Sequence, residues 1–437
     1  LLWCLSFAAA ALVGTHGIAY WDAGDYARLA VEGRMSGLLL GRPVFLVLSR
    51  AILAVGVDVA FAEPVLRWTW TAFSACAAPL FMILALELGL PRAAAGAAGA
   101  ALACSPAFAH TAHQVLTDAP ALSLTIGALA LAARPTLPRA WLAGAVLALA
   151  IATRETSAWF LISLALLAAR AGRRTAIVAV ASCLLGTALV VLACHRGVPP
   201  SLAGWGKAMH RSSSLRARDV LVALGWAFSA GPAVALAGAA GLRDRELSRA
   251  LRPVVGPAAV GTALLCFYPF AAWTPRFMLA TAPLALLLPA GVWMSRRPRL
   301  AAALLLFPLV GTYGATARPR ELARRGDDAA ARFLATPAPA LWVPGHFCPQ
   351  AELALAIAAR KGSPRDVMML CPGWRWPDAA GRALDRARCE GRTLVLDLRD
   401  DAWIGEWEVA PAAAIRAYAA REGLEGPLAI VPPRACP

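Results

Sequence analysis

Long apolar runs, many of them roughly 18 to 25 residues and so able to cross a hydrocarbon core, recur through the first 316 positions of this 437-residue chain, with several shorter ones among them. This repetition constrains the fold more than any motif does, because a soluble domain of ordinary size has no interior for so many of them. Composition agrees: 59% of residues are hydrophobic and 16% charged, with a mean hydropathy of +0.61. A soluble protein carries about 25% charged residues. The expected fold class is therefore an α-helical polytopic membrane protein. Its formal charge of +16 comes from basic residues scattered between apolar segments. Nucleic-acid binders instead gather them on one polar face, so nucleic acid is excluded as a partner.

The runs place about eleven transmembrane helices near 1–20, 64–88, 93–109, 118–134, 140–153, 157–170, 175–194, 219–242, 253–272, 276–294 and 300–316. No basic stretch precedes the first, so it reads as a retained helix rather than a cleaved leader. The segment 43–57 has Arg50 at its centre and suits an interfacial helix, since a mid-bilayer arginine is costly. Alternation puts the links "GLPRA", "RPTLPRA", "RAGRR", "RDRELSRALR" and "SRRPR" on one side. Their 13 basic residues make that side cytoplasmic, although 12 more lie opposite, many in the loop 195–218. That basic loop suits either anionic lipid head groups or a phosphate-bearing substrate.

Carboxylates near lipid tend to face a polar cavity or a partner. Eleven occur before residue 317, and eight of them fall on the outer side: Asp22, Asp25, Glu32, Asp58, Glu63, Asp118, Glu155 and Asp219. The expectation is a wet cleft on that face. From 317 the character changes. The remaining 121 residues hold 15 of the 26 acids, and "ALWVP", "DVMMLC", "TLVLDL" and "PLAIV" alternate with helix-like stretches. This predicts a small extracytoplasmic α/β domain with a parallel sheet and no phosphate loop. On that side Cys348, Cys371, Cys389 and Cys436 can form one or two disulfides.

Four stretches could carry chemistry. In "AYWDAGDYARLA" a helix would put Asp22 and Asp25 on one face, with Arg28 a turn further on. Asp22 and Asp25 are either a cap and capping box or carboxylates placed to take a proton from a hydroxyl. In "HTAHQVLTDAPALSL" Asp118 either caps the helix that begins with Ala119–Pro120 or serves the site. His110 and His113 are either solvated or, with a carboxylate, ligands for a divalent metal. In "IATRETSAWF" Arg154 and Glu155 are a local ion pair, or Arg154 grips a phosphate. In "WTPRFMLATAPL" Arg276 snorkels to the interface or acts as a second phosphate clamp.

In these stretches the chain resembles the GT-C superfamily of membrane glycosyltransferases, including protein O-mannosyltransferases and lipid A aminoarabinose transferases. "WDAGDYARLA" resembles their first-loop acidic motif and "LTDAPALSL" their second conserved aspartate. "ATRETSAWF" and "TPRFMLATAPLALLL" are similar to their Thr-basic and Arg-aromatic-Leu patterns. The resemblance covers about residues 1–316, with a catalytic first outer loop at about 20–63, and leaves 317–437 as a separate domain. It implies a polyprenyl-phosphate-linked sugar as donor. The acceptor would be a hydroxyl on a lipid, glycan or protein, at the outer face of the cell inner (plasma) membrane. Asp22 takes the catalytic-base position and Asp118 that of a supporting carboxylate, with Arg154 and Arg276 as phosphate contacts. Relatives have adjacent acids where this chain has Ala23 and then Asp25, so the base is Asp22 or Asp25. No cofactor is required beyond the divalent metal that the His pair could hold. Other readings are a transporter or flippase of lipid-linked sugars, an oligosaccharide ligase or polymerase, and a non-catalytic anchor for the tail. A transporter would place its charges near mid-bilayer, often in repeated halves.

Overall fold

The computed structural model describes residues 1–14, 21–36, 40–194, 217–218, 220–221, 245–267, 275–315, 317–337, 339–344, 350–362, 365–367, 380–398, 409–426 and 428–435. Most of the expected span at 219–242, Asp219, most of the basic loop 195–218, and Cys348, Cys371 and Cys436 lie outside them. The chain is α-helical and divides into two compact units. The first is Leu1–Gly14, Met35–Ala51 and Leu66–Ala317; the second is Thr15–Arg34, Ile52–Val65 and Arg318–Pro437.

In the first unit the helices follow the apolar segments, and their ends follow the turn residues. They are α1 (Leu2–Val13), α3 (Pro43–Ala54), α4 (Ala62–Ser74), α5 (Ala77–Glu87), α6 (Arg92–Ala103), α7 (Pro106–Ala112), α8 (Asp118–Ala133), α9 (Leu137–Thr153), α10 (Leu161–Ala168), α11 (Arg173–Cys194), α12 (Arg245–Cys266), α13 (Ala282–Ser295) and α14 (Pro298–Ala315). α3 and α4 straddle the boundary between the units. α5 stops where Gly89 takes φ +91° and the Leu90 N–H returns to the Ala85 carbonyl, a left-handed helix ending. α9 starts where the Thr136 hydroxyl accepts from the Arg139 N–H.

Among the described residues, two helical stretches are long and apolar enough to cross a membrane by length and composition, Val59–Glu87 and Arg173–Cys194. Several other expected spans within the described residues are shorter or broken. The one at 93–109 divides at Ser105–Pro106 into α6 and α7, and the one at 157–170 is an α-helix between two 3-10 turns. Proline removes a helical N–H and its ring clashes with the preceding turn, which explains the first break. α11 buries only Thr175, Ala179, Cys183 and Val191 and turns Ile177, Leu184, Leu185, Leu189 and Leu192 outward. Such a continuous apolar strip is unusual on a surface that faces water. The Arg50 side chain is exposed on α3.

The interior of this unit is rich in alanine, and its helices pack closely. α9 packs on α11 and α6 on α13. A methyl group on Gly144 of α9 would come within 2.2 Å of the Ala179 carbonyl oxygen of α11, and one on Gly291 of α13 within 2.5 Å of the Ala94 oxygen of α6. Small residues at helix crossings let backbones approach, the packing style of helices in lipid.

The second unit is built on a sheet of β1 (Ala340–Pro344), β2 (Arg365–Val367), β3 (Thr393–Asp397) and β4 (Leu428–Val431), in the order β2-β1-β3-β4. The helices α15 (Ala317–Ala335), α16 (Gln350–Arg360), α17 (Ala380–Cys389) and α18 (Val409–Arg421) complete it. Leu341, Val343, Leu394 and Leu396 face Leu384 of α17 and Ile415 and Tyr418 of α18. Their alternates, Trp342 and Val395, pack with Phe333 of α15 and Ala354 of α16. Strands buried on both faces read as unbroken apolar runs. The sheet is mixed where a parallel one was expected: β1 runs parallel to β2 and β3, but β4 is antiparallel to β3. β4 lies at the edge with Ile430 exposed, a half-covered position that either direction satisfies. Cys389 is disulfide-bonded, whereas the six cysteines of the apolar segments are free.

This unit also contains a helix from the opposite end of the sequence. α2 (Trp21–Glu32) packs against α16.

Candidate functional site

The apolar first unit brings three of the singled-out stretches together. α8 begins at Asp118, and α9 ends at Thr153, after which Arg154 is extended at φ −155°, ψ 124°. That change of direction turns the guanidinium back towards α8. Its Nε lies 3.0 Å from Asp118 Oδ1, with both side chains at least 95% buried. Its Nη1 donates to Thr117 Oγ1 at 3.0 Å. Thr117, not Asp118, holds the N-cap position of α8 and makes no capping bond through its side chain. The Asp118 carboxylate is therefore turned to Arg154. Its Oδ2 is buried and makes no hydrogen bond among the described residues, an arrangement costly for a carboxylate oxygen unless a ligand or water meets it.

A third stretch closes the group. Arg276, in the 3-10 turn Pro275–Ala280, is 6% exposed. Its guanidinium carbon lies 5.5 Å from the centre of the Phe277 ring, and that of Arg154 lies 5.1 Å from the same centre. One aromatic ring thus serves two cations, each contact attractive through the ring quadrupole. Beside them is a narrow cleft, wide enough for about one water-sized group, lined by Asp118, Leu122, Thr125, Arg154, Ser157 and Ala280. Within its lining Thr125 Oγ1 donates to Ser157 Oγ at 3.1 Å.

Glu155 turns to different partners from its neighbour. It forms an ion pair with the buried Arg42, and its Oε1 accepts from the Leu40 N–H at 3.2 Å. Arg42 has φ +56°, an uncommon conformation for a residue with a side chain, and the carboxylate holds it there. Glu155 thus ties the 40–42 turn to the end of α9.

His113 is fully buried. Arg67 Nη1 lies 2.9 Å from its Nε2 and Thr71 Oγ1 3.1 Å from its Nδ1, while Trp68 meets the ring edge-on at 4.6 Å. Arginine cannot accept, so Nε2 must be the acceptor and the proton sits on Nδ1, facing Thr71. Both ring nitrogens are thereby used within the protein. His110 is half-buried in the last turn of α7. Among the described residues no three His, Cys, Asp or Glu side chains group to hold a metal ion.

Asp22, Asp25 and Arg28 belong to the second unit, on α2. The Asp25 carboxylate meets Arg28 at 2.5 Å, and Arg28 also lies 3.6 Å from Glu32. Asp22 is half-exposed in the first turn. Ala23, Tyr26, Ala27, Ala30 and Val31 fill the buried side of the helix.

The sequence offered Phe277 only as the aromatic of the Arg-aromatic-Leu pattern and did not single out Arg42, Arg67 or Thr117. The available signal for Arg42 and Arg67 was a cation within or beside an apolar stretch, where burial demands a partner. Neither the models of known protein families nor curated protein sequences give a match to this chain.

Proposed function

We propose that this chain is a GT-C-like membrane glycosyltransferase with about eleven transmembrane helices. It would move a sugar from a polyprenyl-phosphate donor to a hydroxyl acceptor on the outer face of the inner (plasma) membrane. One observation carries the reading. Arg154 and Arg276, from stretches over a hundred residues apart, stand over one ring beside a buried carboxylate and a cleft. Fixed positive charge in a low-dielectric place is what a departing phosphate needs.

In the reaction the bond from the anomeric carbon to the phosphate oxygen breaks and one to the acceptor oxygen forms. Attack from the opposite face inverts the carbon. The electron pair leaves with the polyprenyl phosphate, which the guanidiniums stabilise, and a carboxylate takes the hydroxyl proton. The resemblance gives that last role to Asp22 or Asp25. Asp118 supports Arg154, and its buried Oδ2, which makes no hydrogen bond among the described residues, remains to accept one.

Two further features support the setting. The outward leucines of α11 suit lipid. The disulfide at Cys389 suits an oxidising compartment for the tail.

The test is to incubate the purified protein with radiolabelled polyprenyl-phosphate sugars and membrane extract, then identify the labelled product. Asp118→Asn and Arg276→Ala should each reduce transfer at least a hundredfold, and so should Asn at one of Asp22 or Asp25. Full activity in both Asp22→Asn and Asp25→Asn would remove the base assignment. Passage of label across vesicles without any transfer would favour a flippase.

A further inference from the structure

We infer that the C-terminal domain seats the acidic helix, and that Arg360 is the residue anchoring α2 on it. Arg360 Nη1 donates to the Val31 carbonyl oxygen at 2.6 Å, joining residues 329 apart in the sequence. Val31 lies in the last turn of α2, where carbonyl groups have no helical partner and the helix end is negative. α2 ends at Gly33, φ +76°, where the Arg34 N–H returns to the Leu29 carbonyl, and its last turn holds no basic residue. The Val31 carbonyl is met from another helix, by Arg360 at the end of α16.

The surrounding contacts agree. α2 packs on α16, and the small residues Ala23, Ala27 and Ala30 are buried on α2. Next to Arg360, Lys361 Nζ stands 3.6 Å from Asp58, which follows α2 in the chain. That pair is exposed and adds little by itself, but it ties a second segment of the same unit, the cap of the 3-10 turn Val59–Phe61, to the same helix end. Asp22, Asp25 and Arg28 are thus carried on a helix whose seat belongs to the tail, and Arg360 is a positioning residue. Its link to catalysis rests on the function proposed above; its link to α2 does not.

The experiment uses the full-length protein in detergent. Amide hydrogen exchange of residues 21–32 and donor-dependent transfer kinetics are measured in wild type, Arg360→Ala and Arg360→Lys. Loss of a charge-assisted bond should speed exchange across α2 by about tenfold, with β1 and β3 unchanged. It should lower kcat by a similar factor at unchanged donor KM, because the donor phosphate is assigned to other residues. Arg360→Lys should recover most of both effects. If Arg360→Ala does not fold, Arg360→Gln carries the same test with the stem retained. Unchanged α2 exchange, or unchanged kcat despite a loosened α2, would overturn the inference. A loosened α2 in a protein with no transferase activity even as wild type would leave the anchor standing and remove the glycosyltransferase reading.

Discussion

The buried pair Asp118–Arg154 is the most consequential contact between individual residues. Removing one member of such a pair strands the other charge, at a cost of about 3–5 kcal/mol. Asp118→Leu and Arg154→Met should therefore each melt well below wild type in detergent. The double variant should recover much of the loss, and strictly additive losses would show that the two are uncoupled. A milder effect belongs to Asp58. The Ala60 N–H, and after it Lys361, holds its carboxyl below the ordinary value of 3.8. A lowered value stabilises the fold above the unfolded pKa, and that benefit is lost as pH falls through the folded one. Wild type should therefore melt slightly above Asp58→Ala at pH 7, with the gap closing at pH values below 3.8. Asp118, Arg154 and Arg276 were each legible in the sequence, because a charge beside an apolar run must have a reason. Their meeting was not: which cation answers which acid depends on how α8, α9 and the turn at 275–280 pack. Glu155 illustrates this, as its neighbour in sequence is Arg154 but its partner in space is Arg42.

Among the elements, the crossing of α9 and α11 is the most sensitive to volume. Gly144→Val would drive a side chain into the backbone of α11 at Ala179, and overpacking of this kind costs about 1–3 kcal/mol. Thermal unfolding of Gly144→Val should show that loss, whereas Gly172→Ala, with nothing near its Cβ, tests only the backbone strain of its positive φ. Helix positions were largely legible, since α8 and α14 begin within two residues of the spans expected at 118 and 300. The strand segments of the tail were also legible as short apolar runs. The direction of β4 was not, because "PLAIV" offers the same side chains to its neighbour either way. Nor did periodicity foretell the short 3-10 turns flanking α10.

At the scale of the whole molecule, the two units contrast an apolar, alanine-packed helical body with a conventional three-layer α/β domain. The proposed topology puts the latter outside the cytoplasm. Alkaline phosphatase fused after residue 437 should then be active in cells, and a fluorescent protein in its place should be dark; the reverse would invert the orientation. The seat of α2 has a consequence for biogenesis. The helix is made early, but the residue that receives its end follows 329 positions later. At 5–20 residues per second the ribosome needs roughly 15 to 65 s to cover that distance. Throughout this interval the newborn acidic segment waits undocked, so a chain released before its final quarter would lack the means to arrange its own carboxylates.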